Sequence, residues 1–169
     1  MNRYGYPAVK TDYMGRIIPR GEHHDGRWMS NYYVRVAETA ARHHVTVDMH
    51  KSVRPTGLSR TYSNWLASEA GRVNEYNAFA TEGNPPERET ILPFTRLMGG
   101  QMDYMPGIFK LKIYEPEHPE RQVHTTLAKQ LALYMVLYSS LQMAAALPEN
   151  YATHPRCLPL YRRGGSGLG

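Results

Sequence analysis

Two glutamates six positions apart, Glu69 and Glu75, stand in the segment from His50 to Asn77, HKSVRPTGLSRTYSNWLASEAGRVNEYN, among several cations and turn-forming residues. Paired carboxylates at the rim of a pocket can divide acid–base work. One is held protonated by desolvation or by a neighbouring anion and donates to a leaving oxygen, while the other attacks or activates water. An arbitrary glutamate in a loop is usually a solvated surface charge, so the surroundings must argue for chemistry. Asp12 closes an earlier apolar run in the pattern Lys10-Thr11-Asp12, and Asp48, His50 and Lys51 close a second one.

The elements that must carry these groups are short. Tyr6 to Tyr13 reads as a buried strand ending at Asp12. From Gly26 to His43 the apolar positions Trp28, Tyr32, Val36, Ala37, Ala40 and Ala41 recur at helical spacing, with Arg35, Glu38 and Arg42 opposite, which predicts an amphipathic helix. Val45 to Met49 is a β-branched run stopped by Pro55 and Gly57. Strand, helix, strand points to a parallel βαβ unit. Further on, Ser63 to Ala70 reads as a short helix and Arg72 to Tyr76 as a strand end. Ile91 to Met98 reads as a helix after Pro85-Pro86, and Thr125 to Ala146 as the longest helix, turning Leu127, Leu131, Met135, Tyr138 and Met143 to a core before Pro148. Polar residues gathered at the ends of successive strands are how a (β/α)8 barrel builds its active face.

Composition bounds the reading loosely. At 169 residues, 41% hydrophobic and 21% charged, the chain has globular composition. It contains no apolar run long enough to span a bilayer, and the start, MNRYGYPAVK, has no apolar core of a signal peptide, so the localisation stays open. A single Cys157 excludes an internal disulfide and a thiolate metal cluster. The formal charge of +5 does not argue for nucleic acid: without Arg156, Arg162 and Arg163 of the terminal segment it falls to +2, and the other cations are scattered. His23-His24 lacks the third ligand of a zinc site, Ser59 and Ser63 lack a nucleophile elbow, and Gly99-Gly100 lacks a phosphate-loop context.

PTGLSRTYSN, EA, NEYN and TILPFTRLMGGQMDYMPGIF, with VKTDYMG, IIPRGEHHDGRWMSNYYVRVAETAA, VDMHKSVRPTGL and HTTLAKQLALYMVLYSSLQMAAALPENY, resemble glycoside hydrolase family 97, the α-glucosidase and α-galactosidase family. The resemblance runs through residues 4–153. It implies the fold class α/β, a partial (β/α)8 TIM barrel forming the C-terminal half of a catalytic domain, whose other half and flanking β domains belong to the full-length enzyme. A half barrel made alone is expected to be poorly soluble or to dimerise. Residues 156–169 break the resemblance. Read one base later, plausible codons give DAFPFIAEVAVDW, similar to family members, so a frameshifted or disordered tail is expected there.

The resemblance implies cleavage of α-glucosidic or α-galactosidic bonds in oligosaccharides, with Glu75 as general acid and Glu69 as a ligand of a calcium cofactor that Glu75 also binds. A further ligand is implied at position 51, where an ammonium, Lys51, can neither coordinate calcium nor activate water. Asp12 matches the nucleophile of the retaining branch, while PTGL and GEHHDGRW are similar to the inverting α-glucosidases, so stereochemistry stays open, as does glucoside against galactoside. Lys51 can ion-pair with Asp12 and keep it ionised, or the pair is a plain strand-end salt bridge. His50 can bond a sugar hydroxyl. Arg60, Tyr62, Trp65, Arg72 and Asp103 are expected to frame the sugar, Trp65 by stacking on it or, equally, by filling the core. The partner expected is an oligosaccharide, with neither nucleic acid nor a membrane. The competing reading is a non-catalytic carbohydrate-binding or pseudogene remnant in which Lys51 records lost catalysis.

Overall fold

The computed structural model describes residues 2–12, 17–79, 82–113 and 116–156. The chain forms two compact units, one of residues 1–71, 96–103 and 139–141 and the other of residues 72–95, 104–138 and 142–169. Cys157 and nearly all of the expected frameshifted tail lie outside the described residues. No helix among the described residues is long and apolar enough to cross a membrane.

The first unit carries β1 (Ala8–Thr11), α1 (Arg27–Arg42), β2 (Thr46–His50), the short α2 (Leu58–Thr61) and β3 (Trp65–Glu69). The strands form a parallel sheet in the order β1-β2-β3, with Val9 opposite Val47, Lys10 opposite Asp48 and His50 opposite Glu69. β1 was expected to be buried. Its four residues are half-buried, because it is the edge strand with β2 on one side only.

α1 confirms the helical periodicity, but its most buried stripe is Met29, Tyr33 and Ala37, one residue round from the stripe Trp28, Tyr32, Val36 and Ala40, which is partly buried. The two stripes together make one broad apolar arc, and Met29, Tyr33 and Ala37 pack with Val47, Met49, Val53 and Trp65. The helix ends on a Schellman turn: Val45 N–H bonds Ala40 O at 2.9 Å, His44 N–H bonds Ala41 O at 2.9 Å, and His44 takes the left-handed conformation at φ 53°.

Ser63 to Ala70 is not a helix. Trp65–Glu69 is a strand, because pairing with β2 outweighs the helix propensity of Leu66, Ala67 and Glu69. The ladder also slips: Val47 faces Trp65, but the next residue, Asp48, faces Ala67, so Leu66 is an extra residue. Strict alternation would set Trp65 and Glu69 on one face. The slip lets Trp65 join the helix-side core while Glu69 sits beside His50.

The second unit carries α3 (Tyr76–Phe79), α4 (Arg88–Ile91) with a 3-10 turn at Leu92–Phe94, α5 (Leu127–Val136) and α6 (Pro148–Ala152). Arg72 to Tyr76, expected as a strand end, is a turn entering α3. The helix expected over Thr125–Ala146 stops at Val136, shorter than α1. It buries Gln130 and Leu133, and Met135, Tyr138 and Met143 are exposed rather than core-facing. Polar bonds hold this unit's interior. Gln130 Oε1 accepts from Asn74 Nδ2, Gly107 N and Ile108 N at 3.0–3.2 Å, and Glu89 accepts from Tyr104 Oη at 3.0 Å and from Lys129 Nζ at 2.8 Å.

Candidate active site

Because the three strands run parallel, their C-terminal ends share one edge of the sheet, and Asp12, His50 with Lys51, and Glu69 stand there. Alternation puts Lys10 on the face of Asp12 and Asp48 on the face of His50, opposite the helix-side core. The register slip brings Glu69 to that same face.

The result is a chain of charge along the strand ends. His50 is buried and uses both ring nitrogens on carboxylates, Nδ1 at 2.5 Å from Asp12 Oδ1 and Nε2 at 3.3 Å from Glu69 Oε1. The other Glu69 oxygen, Oε2, is 2.5 Å from Lys10 Nζ, which also lies 2.9 Å from Asp103 Oδ2 and 3.7 Å from Asp48 Oδ2. Asp48 and Asp103 are fully buried. Three acids thus surround one ammonium. Burial alone would lower the Lys10 pKa, but the hydrogen bonds and charges of Glu69 and Asp103 outweigh it and the ammonium is held above its ordinary value. For Asp48 burial comes first and the adjoining Asp103 carboxylate adds to it, against the opposing Lys10, so its carboxyl is pushed up to about 8 and is protonated at neutral pH. Neither Asp48 oxygen has a hydrogen-bond partner of sound geometry among the described residues.

Asp12 is 59% exposed, and Lys51 Nζ lies 3.9 Å from its Oδ1, the pairing expected from the sequence. Lys51 has a left-handed backbone at φ 48°, and its carbonyl is tethered by Tyr33 Oη at 2.7 Å and by His24 Nε2 at 2.8 Å.

The remaining expected residues divide. Trp65 is buried in the core with its indole N–H on Ser68 Oγ at 2.8 Å, so of the two roles the sequence left open it takes core filling. Asp103 is sealed behind Lys10, so it supports the strand-end cluster rather than facing a sugar. Arg60 is exposed on α2. Arg72 belongs to the second unit, where it bonds Asn84 Oδ1 at 2.8 Å and lies 3.6 Å over the Tyr76 ring, a structural post. Glu75 is an exposed residue of that unit, in the turn before α3. Sequence reasoning used Lys10 only as part of a motif and Asp48 only as a strand-end polar group. Their two-residue spacing from Asp12 and His50 was the signal that they share one face.

A parallel α/β sheet with its titratable side chains massed beyond the carboxyl ends of the strands has the architecture of α/β enzymes. Comparison with known proteins gives the family. The family model described as Glycoside hydrolase 97 matches residues 1–71. The chain is 30% identical over 155 residues to a retaining alpha-galactosidase of Bacteroides thetaiotaomicron, covering 89% of this chain and 22% of that protein. It is 31% identical over 156 residues to a probable retaining alpha-galactosidase of Streptomyces bingchenggensis, covering 92% of this chain and 21% of that one. Among solved structures it superposes on a Glycoside Hydrolase Family 97 enzyme from Pseudoalteromonas sp. strain K8 in complex with acarbose, with a TM-score of 0.85 and 42% identity, over 95% of this chain and 26% of that one. The chain belongs to glycoside hydrolase family 97, and it spans about a quarter of the length of the relatives it matches.

Proposed function

We propose that this chain forms part of the catalytic (β/α)8 barrel of a glycoside hydrolase that cleaves α-galactosidic or α-glucosidic bonds in oligosaccharides. The observation that carries it is the convergence of Asp12, His50, Lys51 and Glu69 at the C-terminal ends of three parallel strands. The open edge of β1 supports the barrel: beside it runs an apolar groove of about 560 Å³ lined by Val9, Tyr32, Val36, Ala40 and Val45, where another βα unit would pack. The remaining units are taken to come from outside these 169 residues.

In this reading Asp12 is the nucleophile and Glu75 the general acid, a retaining mechanism in keeping with the relatives named as retaining alpha-galactosidases. Asp12 attacks the anomeric carbon while the acid protonates the leaving oxygen; water then releases the sugar, with the acid now acting as base. His50 and Lys51 orient the Asp12 carboxylate. A family 97 structure holding panose supports an oligosaccharide substrate.

The calcium cofactor rests on the resemblance. Carboxylate oxygens of Glu69 and Glu75 are the hard donors this ion takes, whereas Lys51 supplies none, so these two would be part of a set of about six to eight oxygens whose other members come from outside these residues or from water. When bound, the ion would polarise sugar oxygens. Calorimetric titration of calcium into the protein and its Glu69→Gln variant tests this without reference to turnover, and equal affinity in both would exclude Glu69 as ligand.

The decisive experiment concerns Asp12. In the protein carrying this chain, Asp12→Gly should lose hydrolysis of an aryl α-galactoside and, given azide, form the β-glycosyl azide. A variant that keeps its activity removes Asp12 from the chemistry. The second reading, a non-catalytic sugar-binding remnant, is favoured by Lys51 alone and predicts calcium-dependent sugar binding without turnover.

A further inference from the structure

Just beyond the ends of β2 and β3 the first unit holds an open cavity of about 480 Å³, lined by Lys51, Ser52, Arg54 and Arg96 together with His24, Asp25 and the 70–71 backbone. Three of those side chains are cations and one is an acid. Asp25 is engaged within the wall: its Oδ1 accepts from Arg54 N at 2.8 Å and its Oδ2 is 3.8 Å from Arg54 Nη2. The balance that remains is positive.

Two features of the wall are unfinished. Arg96 is half-buried and has no carboxylate partner among the described residues. It donates Nε to Ala70 O at 3.0 Å, Nη1 to Gly100 O at 3.1 Å, and Nη2 to Ser68 O and Gln101 O at 3.4 and 3.5 Å, which leaves one of the five guanidinium hydrogens, on Nη1, unassigned. Carbonyl dipoles hold the fork in place but do not neutralise it. Ser52 Oγ is buried and has no hydrogen-bond partner among the described residues. A buried hydroxyl left unpaired is costly, and so is a desolvated cation without an anion. A ligand that accepts hydrogen bonds and carries negative charge corrects both.

We propose that this cavity is a subsite for an oxyanion borne by the glycoside substrate, a uronate carboxylate or a sulfate ester on the sugar next to the bond that is cut. This rests on the glycosidase reading above. The position suits it, because Lys51 lines the cavity and also stands 3.9 Å from Asp12, so a sugar at Asp12 has its neighbour at the basic wall. Arg96 and Ser52 would supply fixed donors, and Lys51 and Arg54 the adjustable charge.

The test measures binding, by calorimetry on the protein carrying this chain with Asp12→Asn to stop turnover. The probes are a neutral α-linked galactose disaccharide, its uronate counterpart, its sulfated counterpart, and inorganic sulfate. At low salt one acidic disaccharide should bind at least ten-fold tighter than the neutral one. That ratio should fall towards one in Arg54→Gln and in Ser52→Ala, and should shrink as salt is raised. Whichever of uronate and sulfate is preferred names the source of the oxyanion. Equal affinity for neutral and acidic disaccharides overturns the subsite while leaving the glycosidase reading intact. Binding of inorganic sulfate with no disaccharide bound at all also overturns it, and that result counts against the glycosidase reading as well. A preference that survives both substitutions places the oxyanion elsewhere and overturns the assignment.

Discussion

Glu69 lies opposite His50 in the β2–β3 ladder, its Oε1 3.3 Å from the imidazole Nε2, although strict alternation from the buried Trp65 would aim it at the helix side. The extra residue Leu66 permits this, letting one five-residue strand send an indole to the core and a carboxylate to the strand-end cluster. Once there, Glu69 is clamped on both oxygens, by His50 and by Lys10. Orientation of this carboxylate is therefore built from backbone register first and counter-charge second.

The cluster depends on a single ammonium. Removing it in Lys10→Met leaves Asp103 and Glu69 buried without their cation, which typically costs about 3–5 kcal/mol. Equilibrium denaturation at pH 7 should show that loss. Lys10→Arg should recover part of it. A Lys10→Met protein as stable as the parent would mean that the acids are hydrated rather than buried.

Asp48 gives a pH dependence of defined sign. Its folded pKa, about 8, stands above the ordinary value of 3.8, so between those limits the folded state binds the proton that the unfolded state has released. Its contribution to stability is complete below about pH 4 and declines as pH rises to about 8, a span worth a few kcal/mol at roughly 1.4 kcal/mol per pK unit. Asp48→Asn should remove the decline. The stability curves of parent and variant should lie close together near pH 4 and separate in the variant's favour towards pH 8; parallel curves would refute the buried proton.

The strand-end positions of three side chains were more legible in the sequence than the elements around them. Asp12, His50 and Glu69 were readable because each ends a short element, and the β1–α1–β2 unit followed from periodicity. β3 was misread because Leu66-Ala67-Ser68-Glu69 is rich in helix formers, and because the slip at Leu66 erases the two-residue alternation that marks a strand. The helix ending at Val136 was extended too far because the apolar run past it has no breaker before Pro148, and apolarity there does not mean burial: Tyr138 and Met143 are exposed. Lys10 and Asp48 were read only as a motif residue and a strand-end polar group, because their meeting with each other and with Asp103 joins distant parts of the chain and local spacing shows only the face they share.

Tyr33 joins the core to the site. Its ring packs in the α1–sheet core, and its hydroxyl lies 3.0 Å from His50 O and 2.7 Å from Lys51 O, holding Lys51 in its left-handed turn. Tyr33→Phe keeps the packing and removes the tether. It should cost about 0.5–1.5 kcal/mol in thermal or chemical unfolding, the usual net worth of one hydrogen bond, because Lys51 O keeps its bond to His24 Nε2. Because Lys51 carries a charge beside Asp12, the same variant should also weaken oligosaccharide binding, which calorimetry would read. Unchanged stability and unchanged binding together would show that the turn is held by other means.

His44 is the clearest place to gain stability. It occupies the left-handed position that ends α1 at φ 53°, and the two bonds of the Schellman turn, Val45 N–H to Ala40 O and His44 N–H to Ala41 O, both require that conformation. A side chain with a Cβ is strained there by roughly 1–2 kcal/mol, whereas glycine adopts it freely at some cost in unfolded-state entropy. Histidine is also exposed at this site, so its removal uncovers no core. His44→Gly should therefore stabilise the protein by about 0.5–1 kcal/mol, seen as a raised denaturation midpoint with an unchanged slope. His44→Val, β-branched and least able to take a positive φ, should move the midpoint down. If glycine and valine shifted it in the same direction, the left-handed turn at residue 44 would not be the feature that ends the helix.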